Sequence, residues 1–163
     1  MNAIAAVSSS WGIGYQNKLL FHIPSDLRRF RNLTAGGTLI MGRKTFESLP
    51  GGKPLPGRRH IILSRNPAFE REGIEVAHSI KEVLSLTADI RMEDVWICGG
   101  GEIYAAFLPY CSRCCLTHVE ADPPYDACFP RITSDPAWIV VQDGLFETAG
   151  PLRYRFVDYG KSL

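Results

Sequence analysis

The stretch that begins at Pro24 places one carboxylate where it could take part in proton transfer. Pro24 is suited to open a helix, and Leu27, Phe30 and Leu33 follow at helical spacing. Asp26 and Phe30 are four residues apart, so they share a helix face with these apolar side chains. An apolar setting disfavours the charged carboxylate, which raises its pKa and suits it to general acid chemistry. The alternative is a structural acid that complements the helix dipole.

Two glycine-containing turns follow apolar strands and could hold an anionic ligand. Residues 41–45 add Arg43, Lys44 and a threonine hydroxyl to a predicted helix start, which is typical of a phosphate site. The consecutive glycines of residues 99–101 let a backbone pack closely against a flat or anionic ligand. A surface turn with solvated cations is the alternative for the first turn. Neither residues 99–101 nor residues 12–14 match the Gly-x-Gly-x-x-Gly fingerprint, which argues against an ordinary Rossmann domain.

A third turn, Pro-Leu-Pro-Gly-Arg-Arg at residues 54–59, delivers Arg58 and Arg59 just before an apolar strand. Arginine binds carboxylates and phosphates through a bidentate fork. By itself the turn could equally be a basic cap on a strand edge.

The charge distribution supports a localised anionic ligand. Residues 1–65 hold ten Lys and Arg against two acids, whereas residues 66–163 hold eight against fifteen, and the net charge is +1. The small net charge argues against nucleic-acid binding, and the basic half favours a bound polyanion over a chance imbalance.

Length and composition indicate one domain spanning residues 1–163. A chain of this length with 45% hydrophobic and 21% charged residues can bury one sizeable core. It contains no run typical of a membrane span or signal peptide, so no membrane partner is expected. Its five cysteines lack a disulfide rhythm, which suits the cytoplasm. Cys111 and Cys114 have the spacing of half a zinc site, but no second pair follows, so we expect buried thiols and no metal.

Apolar runs and turn residues predict a mixed α/β domain. Helices are expected from Pro24, from a cap at Ser79, and after Gly42 and Gly101. The runs at 38–41 and 61–63 are typical of central strands covered on both faces. Strands are predicted at residues 2–8, 38–42, 59–64, 74–77, 94–98, 113–120, 137–143 and 152–158.

The order of these motifs resembles one family, the dihydrofolate reductases, from the first strand to the last. The matching segments are Trp11-Gly12-Ile13-Gly14, Pro24-x-Asp26-Leu27-x-x-Phe30, Ile40-Met41-Gly42-Arg43-Lys44-Thr45-Phe46-Glu47-Ser48, Pro54-Leu55-Pro56-Gly57-Arg58, Gly99-Gly100-Gly101-x-x-Tyr104, Leu116-Thr117-His118 and Asp126-x-x-Phe129-Pro130. The resemblance implies a single-domain α/β fold with a central eight-stranded, mostly parallel mixed sheet, flanked by about four helices.

The resemblance also implies a folate pocket. Asp26 and Thr117 would bind the amidine-like edge of the pterin, and Arg58 would clamp the α-carboxylate of the glutamate tail. Arg31 and Lys53 would assist Arg58. The apolar walls and the nicotinamide border would be formed by Ile4, Ala5, Leu27, Phe30, Leu55, Cys98 and Tyr104.

The cofactor implied by the resemblance is NADPH. Ala6, Ile13 and Gly14 would touch the nicotinamide, and Ser64 and Arg65 would bind the adenosine 2′-phosphate. The remaining cofactor contacts would come from Gly42, Arg43, Lys44, Thr45, Leu63, Cys98, Gly99, Gly100, Gly101, Glu102, Ile103 and Tyr104.

The implied reaction reduces 7,8-dihydrofolate to 5,6,7,8-tetrahydrofolate by hydride transfer from NADPH. Asp26, directly or through water, would promote proton transfer to N5. The Gly-containing segment 8–23 would close over the site. A monomer that also binds antifolate inhibitors is expected. The alternatives are the NADPH-dependent pyrimidine reductase of riboflavin synthesis, which would need neither Asp26 nor Arg58, and a non-catalytic nucleotide-binding module.

Four positions depart from the family pattern. Phe21 stands where Trp is usual and has no indole N–H, so the usual water-mediated bond to the pterin is not expected. Leu20 stands where Pro is frequent, and Tyr15 occupies a loop crest that commonly carries smaller residues. Glu102 occupies a position that can be basic, which would weaken a contact with the cofactor phosphates.

Overall fold

The computed structural model describes residues 1–162. Its helices are α1 (Pro24–Thr34), α2 (Arg43–Glu47), α3 (Ile80–Leu86) and α4 (Gly101–Phe107). Its strands are β1 (Asn2–Val7), β2 (Gly12–Tyr15), β3 (Lys18–Leu19), β4 (Thr38–Gly42), β5 (Arg59–Leu63), β6 (Glu75–Ala77), β7 (Val95–Ile97), β8 (Arg113–Val119), β9 (Ala127–Cys128), β10 (Trp138–Asp143), β11 (Glu147–Ala149) and β12 (Leu152–Lys161).

The main sheet has the strand order β10-β12-β8-β1-β7-β4-β5-β6, with β11 paired to β12. All neighbours from β8 to β6 are parallel, whereas β12 runs antiparallel to β8, β10 and β11. The mostly parallel mixed sheet and the four flanking helices are therefore confirmed. The short strand β11 was not predicted, and it adds a ninth strand at one end of the sheet.

Alternate residues of the central strands pack on opposite faces of the sheet. Ile40 and Ile61 belong to one apolar cluster, and Leu39, Met41 and Ile62 belong to another. Each of these side chains is at most 1% exposed. A strand buried on both faces has an unbroken apolar sequence rather than an alternating one. This explains why the runs at 38–41 and 61–63 identified the centre of the sheet.

Segment 8–23, predicted as a loop, contains a hairpin. Strands β2 and β3 pair with each other, and β2 also pairs with β9. Gln16 and Asn17 form the turn with φ values of 50° and 61°, and the backbone N–H of Gln16 donates to the Asp126 carboxylate at 3.0 Å. Strands of two to four residues are too short to show alternation, so the sequence did not reveal them.

The predicted helix starts at Pro24 and Ser79 are confirmed. Pro24 occupies the first turn of α1, and the Ser79 side chain accepts a 3.1 Å hydrogen bond from the backbone N–H of Glu82. None of the helices in residues 1–162 is long and apolar enough to cross a membrane.

The five thiols are unpaired. Cys111 and Cys114 are buried as expected, Cys115 is also buried, Cys98 is half-buried and Cys128 is exposed. Cys128 lies on β9, which pairs with the hairpin rather than with the main sheet. Within the described residues, no group of three or more His, Cys, Asp or Glu side chains is arranged to hold a metal ion.

Candidate active site

The side chains of Asp26 and Thr117 meet between α1 and the sheet. The Thr117 hydroxyl, on buried strand β8, donates a 2.5 Å hydrogen bond to Oδ1 of Asp26 in the first turn of α1. Strand β8 pairs with β1 so that Thr117 lies opposite Ala6. The two residues assigned to the pterin edge are thus in direct contact, and Ala6 lies beside them on the neighbouring strand.

Burial raises the pKa of the Asp26 carboxyl above its usual value. The Thr117 hydroxyl and the positive charge of Arg29 oppose this effect, but burial is the larger influence. A group with a raised pKa keeps its proton to higher pH than an exposed aspartate does. Asp26 is therefore better suited than an exposed aspartate to hold a ligand and to promote its protonation.

Tyr104 lies near this carboxylate and near Cys98, since both influence its pKa. The Tyr104 hydroxyl donates a 2.6 Å hydrogen bond to the Ile4 carbonyl, and burial raises the pKa of Tyr104 well above its usual value. Burial also raises the pKa of the Cys98 thiol to about 12. Both groups are therefore protonated and neutral at neutral pH. Cys98 is an apolar border to the site and not a nucleophile.

The residues proposed as apolar walls do not all lie on the same face of the sheet. Ile4, Phe30, Leu55 and Cys98 pack in one apolar cluster. Ala5 packs with the cluster on the other side of the sheet, because successive residues of β1 point to opposite faces. Leu27 is 38% exposed, in keeping with a side chain at an open cleft. The structure therefore brings three of the five proposed wall residues together.

Arg58 is held at the edge of the same region. Its Nη1 donates to Thr34 Oγ1 at 3.3 Å, and its Nε donates to the Pro56 carbonyl at 3.0 Å. Burial lowers the pKa of Arg58, and the nearby charge of Arg31 lowers it further. Arg31 and Lys53 are exposed. The charges of Arg58 and Arg31 therefore influence each other, whereas within residues 1–162 no hydrogen bond or ion pair joins Lys53 to either of them.

The two glycine turns lie side by side. The backbone N–H of Gly42 donates to the Gly99 carbonyl at 2.8 Å, and a Cβ atom on Gly42 would lie 3.3 Å from Ile103. A Cβ atom on Gly100 would lie 3.5 Å from the Thr45 hydroxyl. Parallel strands β4 and β7 end at the same edge of the sheet, which places the turns that follow them together.

Backbone geometry explains the glycines of the second turn. Gly99 has φ +112°, and a Cβ atom on Gly101 would lie 2.9 Å from the Cys128 carbonyl, so neither position accommodates a side chain without strain. Among the described residues, no side chain caps α2 or α4. Their first backbone N–H groups therefore stay available to phosphate oxygens, which fits the pyrophosphate of a dinucleotide.

The cations near these turns already have carboxylate neighbours. Arg43 Nη1 lies 2.5 Å from Glu47, and Arg65 Nη2 lies 3.5 Å from Glu102. Lys44 is exposed. The Arg65 contact is solvent-exposed, so water and salt screen it strongly. Glu102 thus lies beside the cation that the resemblance assigns to the 2′-phosphate.

The other proposed cofactor residues surround the same sheet edge. Ser64 is buried at the end of β5, next to half-buried Leu63, and its hydroxyl accepts from the backbone N–H of Asn66 at 3.1 Å. Ile13 is 8% exposed, and Gly14 pairs with Leu19 and Ala127 in the small sheet.

Phe21 packs against side chains of the sheet. It contacts an apolar cluster formed by Ile23, Val119 and Tyr154. The position that departs from the family pattern therefore contributes packing between segment 8–23 and the sheet.

Sequence reasoning missed Thr34 and His60, which support the Arg58 turn. Thr34 accepts from Arg58 and donates to the Phe30 carbonyl at 2.7 Å. His60 is 1% exposed and bonds to the backbone of residues 55 and 58. No local pattern marks either residue, because each contact depends on how the turn folds back on α1 or β5.

The fold and site together define an α/β domain with a half-buried carboxylate between a helix and the sheet, and with two adjacent glycine turns at one edge of that sheet. The family model "Dihydrofolate reductase" matches residues 1–161. The chain is 44% identical to dihydrofolate reductase type 3 of Salmonella typhimurium over 134 residues, covering 82% of this chain and 80% of that protein. It is 38% identical to the dihydrofolate reductase of Mycobacterium tuberculosis (strain CDC 1551 / Oshkosh), covering 98% of this chain and 96% of that protein.

A solved structure is also similar. Dihydrofolate reductase from Enterococcus faecalis, complexed with NADP(H) and RAB-propyl, superimposes with a TM-score of 0.86 and 29% identity, covering 99% of this chain and 96% of that one. The chain belongs to the dihydrofolate reductase family.

Proposed function

We infer that this protein reduces 7,8-dihydrofolate to 5,6,7,8-tetrahydrofolate with NADPH, supplying tetrahydrofolate for one-carbon metabolism. The observation that carries the inference is the Asp26 carboxylate, half-buried and hydrogen-bonded to Thr117 at the edge of an apolar cluster. A non-catalytic nucleotide-binding module has no use for a carboxylate with a raised pKa in this position. Membership of the dihydrofolate reductase family favours this substrate over the pyrimidine of riboflavin synthesis.

Asp26 orients the pterin and promotes its protonation. The carboxylate accepts hydrogen bonds from the amidine-like edge of the ring, and Thr117 fixes the carboxylate from the opposite side. Directly or through water, Asp26 promotes proton transfer to N5 while C6 is reduced. Ile4, Phe30 and Leu55 provide the apolar surface against which the substrate lies. Leu27, Cys98 and Tyr104 complete the border of the pocket.

Arg58 binds the glutamate tail of the substrate. An arginine has five N–H donors, and two of the Arg58 donors are used by Thr34 and Pro56. The others remain for a bidentate bond to the α-carboxylate. Arg31, whose charge is near that of Arg58, and exposed Lys53 assist through electrostatic attraction.

The two glycine turns hold NADPH, which when bound supplies the hydride for the reaction. The backbone of residues 99–103 and the segment from Gly42 to Thr45 bind its phosphates. Leu63, Ser64 and Arg65 hold the adenosine 2′-phosphate end. Ala6, Ile13 and Gly14 position the nicotinamide, and the hairpin of segment 8–23 excludes water from it.

We also propose that the enzyme acts in the cytoplasm. Its five unpaired thiols suit a reducing cytoplasm. We propose a monomer that binds antifolates in the pterin pocket, with neither nucleic acid nor membrane as a partner.

The proposed function is tested by NADPH oxidation, followed by loss of NADPH absorbance upon addition of dihydrofolate. Turnover that requires both compounds and yields tetrahydrofolate is expected. A protein that leaves dihydrofolate unchanged but reduces a ribityl-aminopyrimidine would overturn the assignment.

A further inference from the structure

His60 is a buried polar residue without a role in the proposed chemistry. It lies on β5, where it pairs with Leu39 of β4, and it is 1% exposed. Both ring nitrogens contact the backbone of the preceding turn. The Leu55 N–H donates to Nε2 at 3.0 Å, and Nδ1 lies 3.0 Å from the Arg58 carbonyl. The imidazole therefore joins both ends of the turn that carries the tail-binding guanidinium.

The two backbone partners determine the state of the imidazole. An amide N–H can only donate, so Nε2 must accept, and a carbonyl can only accept, so Nδ1 must carry the proton. This is the neutral Nδ1–H tautomer. Burial lowers the pKa of His60, the bond to the Arg58 carbonyl opposes that effect, and the Arg58 charge adds to it. A neutral ring at neutral pH agrees with the geometry.

The turn at residues 54–59 has few backbone N–H groups that could hold it in place through hydrogen bonds. Pro54 and Pro56 have no N–H group, so Leu55 carries the only backbone donor of residues 54–56. His60 accepts that bond. Gly57, at φ +71°, then reverses the chain towards Arg58. The imidazole therefore sets the separation between Leu55, in the apolar cluster, and the start of the Arg58 side chain.

We propose that His60 is a positioning residue for recognition of the substrate's glutamate tail. The proposal rests on the proposed dihydrofolate reductase function. The Nδ1–H tautomer holds the Arg58 backbone, while Thr34 and Pro56 hold its guanidinium, so the remaining N–H groups point in one fixed direction. A guanidinium whose N–H donors are already held in place loses less conformational entropy when it binds a carboxylate.

A comparison of two substrates tests this role. In His60→Leu the Leu55 N–H and the Arg58 carbonyl lose their partner, so KM for dihydrofolate rises roughly tenfold while kcat changes little. The tail-less substrate 6-methyl-7,8-dihydropterin binds only the Asp26 region, so its kcat/KM changes less than about twofold. The amide variants His60→Asn and His60→Gln offer one donor and one acceptor, and at least one of them restores most of the dihydrofolate KM.

A double-variant cycle separates positioning from general stability. If His60 acts through Arg58, His60→Leu in an Arg58→Leu background causes no further rise in the dihydrofolate KM. A further tenfold loss there, or an equal loss of kcat/KM for both substrates, would overturn the proposal. Failure of the unmodified enzyme to reduce either pterin would instead contradict the proposed function.

A measurement on the unmodified protein covers the case in which His60→Leu does not fold. The tail fragment p-aminobenzoylglutamate is titrated while the ¹⁵N resonances of the His60 ring are observed. We expect the Nδ1–H pattern of the neutral tautomer and a shift upon titration that is absent in Arg58→Leu. A ring that is charged at neutral pH, or that does not respond to the fragment, would overturn the proposal.

Discussion

The Thr117 hydroxyl on β8 donates a 2.5 Å hydrogen bond to the Asp26 carboxylate on α1, although the two residues lie 91 positions apart in the chain. This bond ties the first turn of the helix to the sheet. It leaves the second carboxylate oxygen available to a ligand while burial raises the pKa of the carboxyl. The chemistry of the pocket therefore depends on how closely α1 packs against β8.

Asp26→Asn is expected to reduce hydride transfer roughly 100- to 1,000-fold at neutral pH, because the amide cannot promote protonation of N5. The rate should recover partly at low pH, where the substrate arrives already protonated. Single-turnover rates across pH check this expectation, with exposed Asp89→Asn as the control. A rate equal to that of the parent enzyme would remove Asp26 from the mechanism.

The same substitution should change the pH dependence of stability. Because the folded-state pKa of Asp26 is raised, the ionised carboxylate is less favourable in the folded than in the unfolded chain. Stability is lost as pH rises from the ordinary aspartate value of about 3.9 through the raised pKa. Asn does not titrate, so the Tm of Asp26→Asn minus that of the parent should increase over this range. A difference independent of pH would show that the pKa is not raised.

Arg58→Leu should raise KM for dihydrofolate roughly 10- to 100-fold and leave the Kd for NADPH almost unchanged, because a charge-assisted bond to the tail is lost. Arg59→Leu is a matched control from the same turn. Arg59 is bound by Glu75 at 2.5 and 2.9 Å and is not assigned to the substrate. Steady-state kinetics and NADPH titration distinguish the two variants. Similar losses of folate and NADPH binding in Arg58→Leu would contradict this division of roles.

Glu102→Gln should tighten NADPH binding roughly threefold at low ionic strength, since it removes the carboxylate 3.5 Å from Arg65. The gain should disappear in high salt because both side chains are exposed. NADH lacks the 2′-phosphate and should show a smaller change. Fluorescence titrations with both nucleotides provide the measurement. An equal gain for NADH would mean that Glu102 does not act on the 2′-phosphate.

Asp158→Asn should destabilise the fold by about 2 kcal/mol. The buried Asp158 carboxylate accepts from Arg29 at 2.6 Å and from Arg113 at 2.7 Å, which joins α1 to β8 and β12. Burial alone would raise the pKa of Asp158, but the bonds from Arg113 and Arg29 lower it overall.

The lowered pKa gives this effect a pH dependence. Stability from the ionised group is present above the ordinary aspartate pKa and is lost as pH falls through the lowered value, so the difference between variant and parent should shrink in acid. Denaturant unfolding at several pH values tests this. Asp143→Asn breaks a half-exposed pair with Arg155 and should change stability by less than about 1 kcal/mol. Equal effects of the two substitutions on stability would show that the buried ion pairs of Asp158 with Arg29 and Arg113 stabilise the fold no more than an exposed pair does.

Sequence reasoning located the elements more completely than their contacts. The eight predicted strands and four helices are present because long apolar runs, proline and a serine cap act locally. The hairpin of segment 8–23 and strand β11 were missed, whereas the equally short β6 and β7 were predicted from their β-branched and aromatic residues. The expected burial of Cys111 and Cys114 is confirmed.

The sequence by itself determined the kinds of groups present: a helix with an acid in its first turn, two glycine turns after central strands, and an arginine turn. These depend on spacing and composition, which are local properties. Only the tertiary structure decided that Thr117 meets Asp26, that Gly42 bonds to Gly99, and that Thr34 accepts from Arg58. Such contacts depend on strand order and on how helices pack against the sheet, and residues far apart in the chain carry no local signal of them.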